Sequence, residues 1–350
     1  MPEVINLNSE NEPAAQYLEP FLQSGNLNFL IGSGASAPVI KTGGTIETDI
    51  NALLAVNNEA EANKRSLDFI TAISAANSKL STTFGPAPSQ AFVKVRRSYI
   101  NFLSSIDRVL FARKNILLPR QANIFTTNYD TFLEHAASRI PGLMLNDGFD
   151  RSSAIGPPTF APERYFDRTY RSGTFHNHQV EIPTINLIKL HGSLSWRKRS
   201  DKLVLETKSV SPLSAADKED PAKVDAFLKE HFLVLPNLRK FHATLLERVY
   251  YDLLRLFSRA FDQQNIVLFC FGFSFADEHI LDLTRRALRN PTSHLIIFAY
   301  DQGSATDYET KFAQQRNVTV FCPGPASVLD FPRLNAILSS VLPVKTNALA

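Results

Sequence analysis

Four short stretches carry residue types suited to chemistry on a nucleotide. Gly32-Ser33-Gly34-Ala35-Ser36 sets two glycines directly after an apolar run, which is how a backbone that cradles a phosphate is built. A tight glycine turn with Ser36 as a helix cap is the plainer alternative. Thr126-Thr127-Asn128-Tyr129-Asp130 places an amide two residues from a carboxylate, beside a hydroxyl. Such groups reach the hydroxyls and leaving group of a bound ribose, whereas capping accounts for only one of them. Lys189-Leu190-His191-Gly192-Ser193 offers an imidazole that titrates near neutral pH, next to a glycine that admits close backbone approach. Gly272-Phe273-Ser274 repeats the glycine-turn pattern. The other histidines, at 135, 176, 178, 231, 242, 279 and 294, lack such a setting, and no metal site is expected from them.

Each stretch sits where an apolar run stops. The runs 28–31, 123–126, 185–190 and 266–271 read as buried strands ending in turns, and 294–300, ending at Asp301, and 318–321 add two more. Helical spacing appears between them, over 131–139, 241–261 and 278–289. Alternating strands and helices predict an α/β fold with a Rossmann-like, mainly parallel sheet flanked by helices. Residues 1–350 read as one domain, with a helical insertion over 46–115 and a loop-rich excursion over 197–236. Thr42-Gly43-Gly44 interrupts the helix after the first turn, and Glu47 and Asp49 open another helix, which disfavours an ordinary dehydrogenase unit. In a parallel sheet the carboxyl ends share one edge, so the glycine loop, Asn128, Asp130, His191 and Ser274 are expected together there. A diphosphate cradle, polar groups for two riboses and one imidazole are what cleavage of a dinucleotide's glycosidic bond requires.

Composition narrows the classes further. With 44% hydrophobic and 20% charged residues the chain is neither disordered nor a coiled coil. A net charge of +3 does not argue for nucleic acid. The basic stretch Lys94, Arg96, Arg97, Arg108, Arg113, Lys114 and Arg120 reads first as a solvated helix face, with nucleic acid or an acidic partner as the alternative. Only two cysteines, Cys270 and Cys322, are present, enough for neither a disulfide framework nor a cysteine zinc site, and this fits a reduced, cytoplasmic setting. The longest apolar run, 266–276, is far below the roughly 20 residues of a spanning helix, so no membrane partner is expected. The acidic N-terminus has no signal-peptide pattern.

As a set, in this order, the four motifs resemble the sirtuin superfamily, and more closely its bacterial sirtuin-like branch of NAD hydrolases found in anti-phage defence. The resemblance implies NAD as substrate. It implies that Gly32, Ser33, Gly34, Ala35 and Ser36 carry the diphosphate and that Asn128 contacts the nicotinamide ribose. His191 would act as general base and Asp130 would help hold nicotinamide. Thr127, Gly272 and Ser274 join the binding site, the last two in a stretch that, followed by Asp277-Glu278, resembles the family's late ribose-binding motif, and Asp301 stands where the family has a polar residue near the adenosine ribose. The chain departs from protein-deacylating sirtuins in lacking paired CxxC motifs; the histidine motif continues into Leu194-Ser195-Trp196, so no zinc is expected. The resemblance also implies a homo-oligomer and a second protein, such as a helicase-type ATPase or another sensor. Two alternatives stay open: a protein deacylase or ADP-ribosyltransferase sharing the NAD site, and a non-catalytic nucleotide-sensing subunit.

Overall fold

The computed structural model describes residues 1–7, 12–40, 44–80, 87–113, 117–152, 155–173, 179–206, 213–234 and 248–342. Thr42-Gly43, Lys114, the His176 and His178 loop, His242 and the 241–247 part of the expected helix lie outside them.

Fifteen strands are present among these residues: β1 Glu3–Leu7, β2 Asn26–Ile31, β3 Gln121–Thr126, β4 Met144–Asn146, β5 Phe149–Asp150, β6 Thr159–Phe160, β7 Tyr170–Ser172, β8 Gln179–Glu181, β9 Thr184–Lys189, β10 Gly192–Arg199, β11 Lys202–Leu205, β12 His231–Leu233, β13 Ile266–Phe271, β14 His294–Phe298 and β15 Val318–Pro323. Eight form the main sheet in the order β1-β15-β14-β13-β2-β3-β9-β4. Every neighbouring pair in it is parallel. All six residues of β13 are buried, as expected of a strand covered on both faces.

Alternate side chains feed two cores. On one face Phe29, Phe269, Phe298 and Phe321 join the cluster that includes Tyr99, Phe102 and Phe331. Phe29 stacks on Phe269 at 5.1 Å between ring centroids and Phe298 on Phe321 at 5.4 Å, so neighbouring strands are tied by a row of rings. On the other face Leu30, Leu268, Cys270, Leu295 and Ile297 pack with Leu253 and Phe257.

The helices of the first core are α1 Glu12–Ser24, α2 Gly44–Ala55, α3 Glu59–Ser78, α4 Gln90–Ala112 and α5 Phe132–Ser138. The described part of 46–115 carries most of α2, all of α3 and α4, and short turns between them, and α4 lies directly against the sheet. Ser89 caps its first turn by accepting from the Phe92 N–H. Its buried Phe92, Val95, Tyr99, Phe102, Ile106, Val109 and Leu110 recur at helical spacing, with Phe102 edge-on to Phe29 at 5.4 Å.

Residues 197–236, read as loop-rich, contain regular structure: the end of β10, β11, α6 Ala215–Lys218, α7 Pro221–Glu230 and β12. Strands β12-β10-β11-β6-β5 form a small sheet, antiparallel throughout, over which Trp196 is buried among Phe149, Phe160 and Phe232. The remaining helices, α8 Arg248–Ala260, α9 Glu278–Ala287, α10 Gln302–Lys311 and α11 Phe331–Ser340, alternate with the last three main-sheet strands. No helix among the described residues is long and apolar enough to cross a membrane.

The basic stretch is not a uniform solvated face. Arg97 is exposed, but Arg113 is buried and donates to the carbonyls of Leu22, Gly25 and Pro119, which ties the end of α4 to the turn before β2. Arg113→Ala should cost roughly 2–4 kcal/mol in urea unfolding, because it strands three carbonyls and empties the space of a long side chain. Arg97→Ala should stay within about 0.5 kcal/mol of wild type.

Candidate functional site

The parallel register aligns the strand ends. Ile31 is level with Thr126 and Phe271, Thr126 with Lys189, and Phe271 with Phe298. The segments that begin at residues 32, 127, 190 and 272 therefore leave the sheet from one row, on its carboxyl edge.

The glycine loop starts with a short 3-10 turn, Ser33–Ala35. Its glycines serve a contact between two backbones. Gly32 N–H donates to the Phe271 carbonyl at 3.0 Å and Gly34 N–H to the Gly272 carbonyl at 2.9 Å. A Cβ on Gly32 would lie 2.3 Å from the Gly272 carbonyl oxygen, and one on Gly34 2.8 Å from Gly272 Cα. Gly272 has φ +65°, and a Cβ there would lie 2.6 Å from Ala35 N. The Ala35 and Ser36 N–H groups close the turn on the carbonyls of Gly32 and Ser33. Four amides of the expected diphosphate cradle thus hold protein acceptors in this conformation.

Behind this loop the Asn/Asp motif is locked into a buried polar cluster. Thr126 Oγ1 donates to the Ile31 carbonyl and accepts the Asn128 N–H, at 2.8 and 3.0 Å, which sets the turn against β2. Asn128 Nδ2 lies 3.1 Å from the Gly32 carbonyl, 3.4 Å from Ser36 Oγ and 3.4 Å from Tyr99 Oη. Ser36 Oγ donates to Asp130 Oδ2 at 2.8 Å and meets Tyr99 Oη at 2.8 Å. Asp130 Oδ1 accepts the Phe132 N–H at 3.2 Å, so both carboxylate oxygens are engaged. Thr127 is half-buried on the same turn.

Tyr99 was missed by the sequence reading, since its only signal was helical spacing; it comes from α4 and stacks on Phe132 at 5.4 Å. Burial pushes its phenol well above the usual range. Lys189 is the cation beneath the cluster, buried, with Nζ donating to the Asp130 carbonyl, Glu134 Oε1 and Ser193 Oγ. Burial raises the carboxyl groups of Asp130 and Glu134, and Lys189 opposes the rise in both.

His191 leaves the next strand end. Its Nε2 is 3.1 Å from Asp277 Oδ2, and both side chains are nearly buried. Gly192 has φ +83°, and a Cβ there would lie 2.0 Å from the Phe232 carbonyl oxygen, so the turn that aims His191 requires glycine. Asp277, outside the predicted set, also caps α9 through Oδ1, which accepts from the N–H groups of His279 and Ile280. Ser274 is exposed and its carbonyl accepts from Lys311 Nζ. Asp301 caps α10, with Oδ1 accepting from the Ser304 N–H and hydroxyl; these bonds hold its carboxyl below the usual range. Direct contacts therefore join Gly32, Gly34, Ala35, Ser36, Asn128, Asp130 and Gly272. His191 and Ser274 are linked through the 272–277 turn, and Asp301 bonds within its own loop.

A cavity of about 560 Å3 lies between α3, α5, β4, β10 and β11, walled by Glu134, Leu143, Leu194 and Leu205, and none of the sequence-predicted residues lines it. Among the described residues no group of three His, Cys, Asp or Glu side chains has metal-holding geometry.

A parallel sheet with polar and glycine-bearing loops gathered on its carboxyl edge is the architecture of ligand-binding α/β proteins. Residues 122–321, more than half of the chain, match the family of SIR2-like domains, and the chain belongs to that family. SIR2-like domains bind NAD, which points to an NAD-utilising enzyme. The matched region takes in Asn128, Asp130, His191, Gly272, Ser274 and Asp301 and leaves the glycine loop before it. No curated protein matches the sequence.

The raised carboxyl of Asp130 has a stability consequence. An acid whose folded value lies above its unfolded one contributes stability at low pH that is lost as pH rises through the folded value. Asp130→Asn removes that loss, so its unfolding free energy relative to wild type should rise as pH climbs above the ordinary carboxylate value of about 4, in urea titrations across pH.

Proposed function

We propose that this chain is an NAD glycohydrolase, cleaving the bond between nicotinamide and ribose to give nicotinamide and ADP-ribose. We further propose that it acts as a gated, cytoplasmic effector of bacterial anti-phage defence, by depleting NAD. The observation that carries the reading is the meeting of Gly32, Ser36, Asn128 and Asp130 in one bonded cluster on the carboxyl edge, in a SIR2-like chain, with His191 on the same row of strand ends.

NAD would lie along this edge with its diphosphate at residues 32–36. Asn128 would orient the nicotinamide ribose. The glycosidic electron pair leaves with nicotinamide, whose ring nitrogen thereby loses its positive charge, so no general acid is needed. Water bonds to the anomeric carbon through an oxocarbenium-like state, and its proton passes to His191. Water as acceptor is supported by the segment after His191: Leu194-Ser195-Trp196 enters the small antiparallel sheet, and both cysteine thiols are buried in main-sheet strands.

Gating draws on the satisfied state of the cluster. The amides of Gly32, Gly34, Ala35 and Ser36, Asn128 Nδ2 and both Asp130 oxygens already have protein partners. A substrate must exchange some of these bonds, and self-assembly or a second protein, such as a helicase-type ATPase or another sensor, is the proposed source of the energy.

The test is NAD consumption by purified protein without an acyl or protein acceptor, with products separated by chromatography. Wild type should release nicotinamide and ADP-ribose, Asn128→Ala should fold but not turn over, and His191→Ala should slow cleavage by roughly 100- to 10,000-fold. Cleavage that requires an acylated peptide or protein acceptor would replace the hydrolase by a deacylase or transferase. Binding without cleavage, alone or with a co-purifying partner, would make the chain a nucleotide sensor.

A further inference from the structure

Asp277 divides its carboxylate between two tasks. Oδ1 accepts two N–H groups of the first turn of α9, at 3.1 Å from His279 and 3.3 Å from Ile280, and Oδ2 sits 3.1 Å from His191 Nε2. The residue is held from both sides. After it, α9 is anchored by buried Ile280, Leu281 and Thr284. Before it, Phe275 adopts φ +54°, a region unusual for a bulky residue, and its ring is clamped by Phe273 and Phe312 at 5.0 Å each. The carboxylate is thus fixed by the fold, and the histidine must conform to it.

We infer that Asp277 is the positioning residue of His191: it accepts the Nε2 proton, which leaves Nδ1 as the nitrogen that takes the proton from the attacking water. An ionised carboxylate only accepts, so the imidazole nitrogen facing it carries the hydrogen, and the neutral ring has its lone pair on the other nitrogen. The reaction assigned here rests on the NAD-hydrolase reading; the tautomer does not. A plain helix cap is the competing role, and Asp, Asn and Ser all cap well. They differ toward His191. In Asp277→Asn the side-chain oxygen can keep the cap while the NH2 turns to Nε2, which must then accept, moving the ring proton to Nδ1 and removing the base. In Asp277→Ser the cap stays and the ring loses its anchor.

The experiment compares wild type, Asp277→Asn and Asp277→Ser by thermal unfolding, NAD-cleavage kinetics and 15N NMR of histidine-labelled protein, with the His191 signals assigned by their loss in His191→Gln. Unfolding midpoints should be nearly equal. The wild-type His191 signals should report Nε2–H, and those of Asp277→Asn Nδ1–H. The kcat of Asp277→Asn should fall by roughly 1,000- to 10,000-fold with KM little changed, and Asp277→Ser should fall between the two. Equal kcat in all three proteins, or an unchanged tautomer in Asp277→Asn, would reduce Asp277 to a cap and overturn the inference. If wild type leaves NAD uncut, the NMR comparison decides alone: a tautomer switch upholds the pairing while the hydrolase reading fails, and no switch overturns the pairing.

Discussion

The structure turns on a backbone contact between the loops that follow β2 and β13. These strands are neighbours in the sheet and end level with one another, so the chains leaving them at Gly32 and Gly272 emerge side by side. Neighbouring strands run only about 4.8 Å apart, and the loops can both turn over the carboxyl edge only if no Cβ stands between them. Gly32, Gly34 and Gly272 meet that condition, and two hydrogen bonds close the contact. Each half of the candidate site hangs from it. The first loop delivers Ser36 to Asn128 and Asp130, and the second leads through Phe275 to Asp277 and so to His191.

Around that contact most of the buried polar groups bond to one another. Lys189 would be costly to bury alone, and its ammonium is spent on the Asp130 carbonyl, Glu134 and Ser193. Tyr99 reaches into the same cluster from α4, so a helix lying between the glycine loop and the Asn/Asp motif in sequence contributes to the site that those motifs form. Because most donors in the cluster already have acceptors, a ligand bound there would exchange hydrogen bonds in place of filling empty ones.

Much of this was legible before the fold was known, for a physical reason. Buried parallel strands are unbroken apolar runs, and their loops begin abruptly with Gly, Asn, Asp or His; β13 follows its run from Ile266 to Phe271 to the residue. β1 is not legible as a strand, because only Leu7 of its five residues is buried, no alternation marks it within an acidic segment, and its partner β15 lies over 300 residues away. The small antiparallel sheet was hidden by strands of two to four residues, such as β5, β6 and β11, whose pairing is set by the tertiary fold. The glycines were recognised as sites of close approach, yet what approaches Gly32 in the structure is another backbone. Arg113 looked like part of a basic face because no local pattern announces three carbonyls from distant turns. Asp277 stood three residues past a recognised motif, but its pairing with His191 spans 86 residues and exists only in three dimensions.

The most direct test of the whole account is a crystal structure of the Asn128→Ala protein soaked with NAD, since an uncleaved substrate reports where the molecule lies. The account predicts NAD along the carboxyl edge, its diphosphate at residues 32–36 and its nicotinamide ribose within reach of His191. NAD seated instead in the cavity beside Glu134, or a carboxyl edge left empty at saturating NAD, would contradict it.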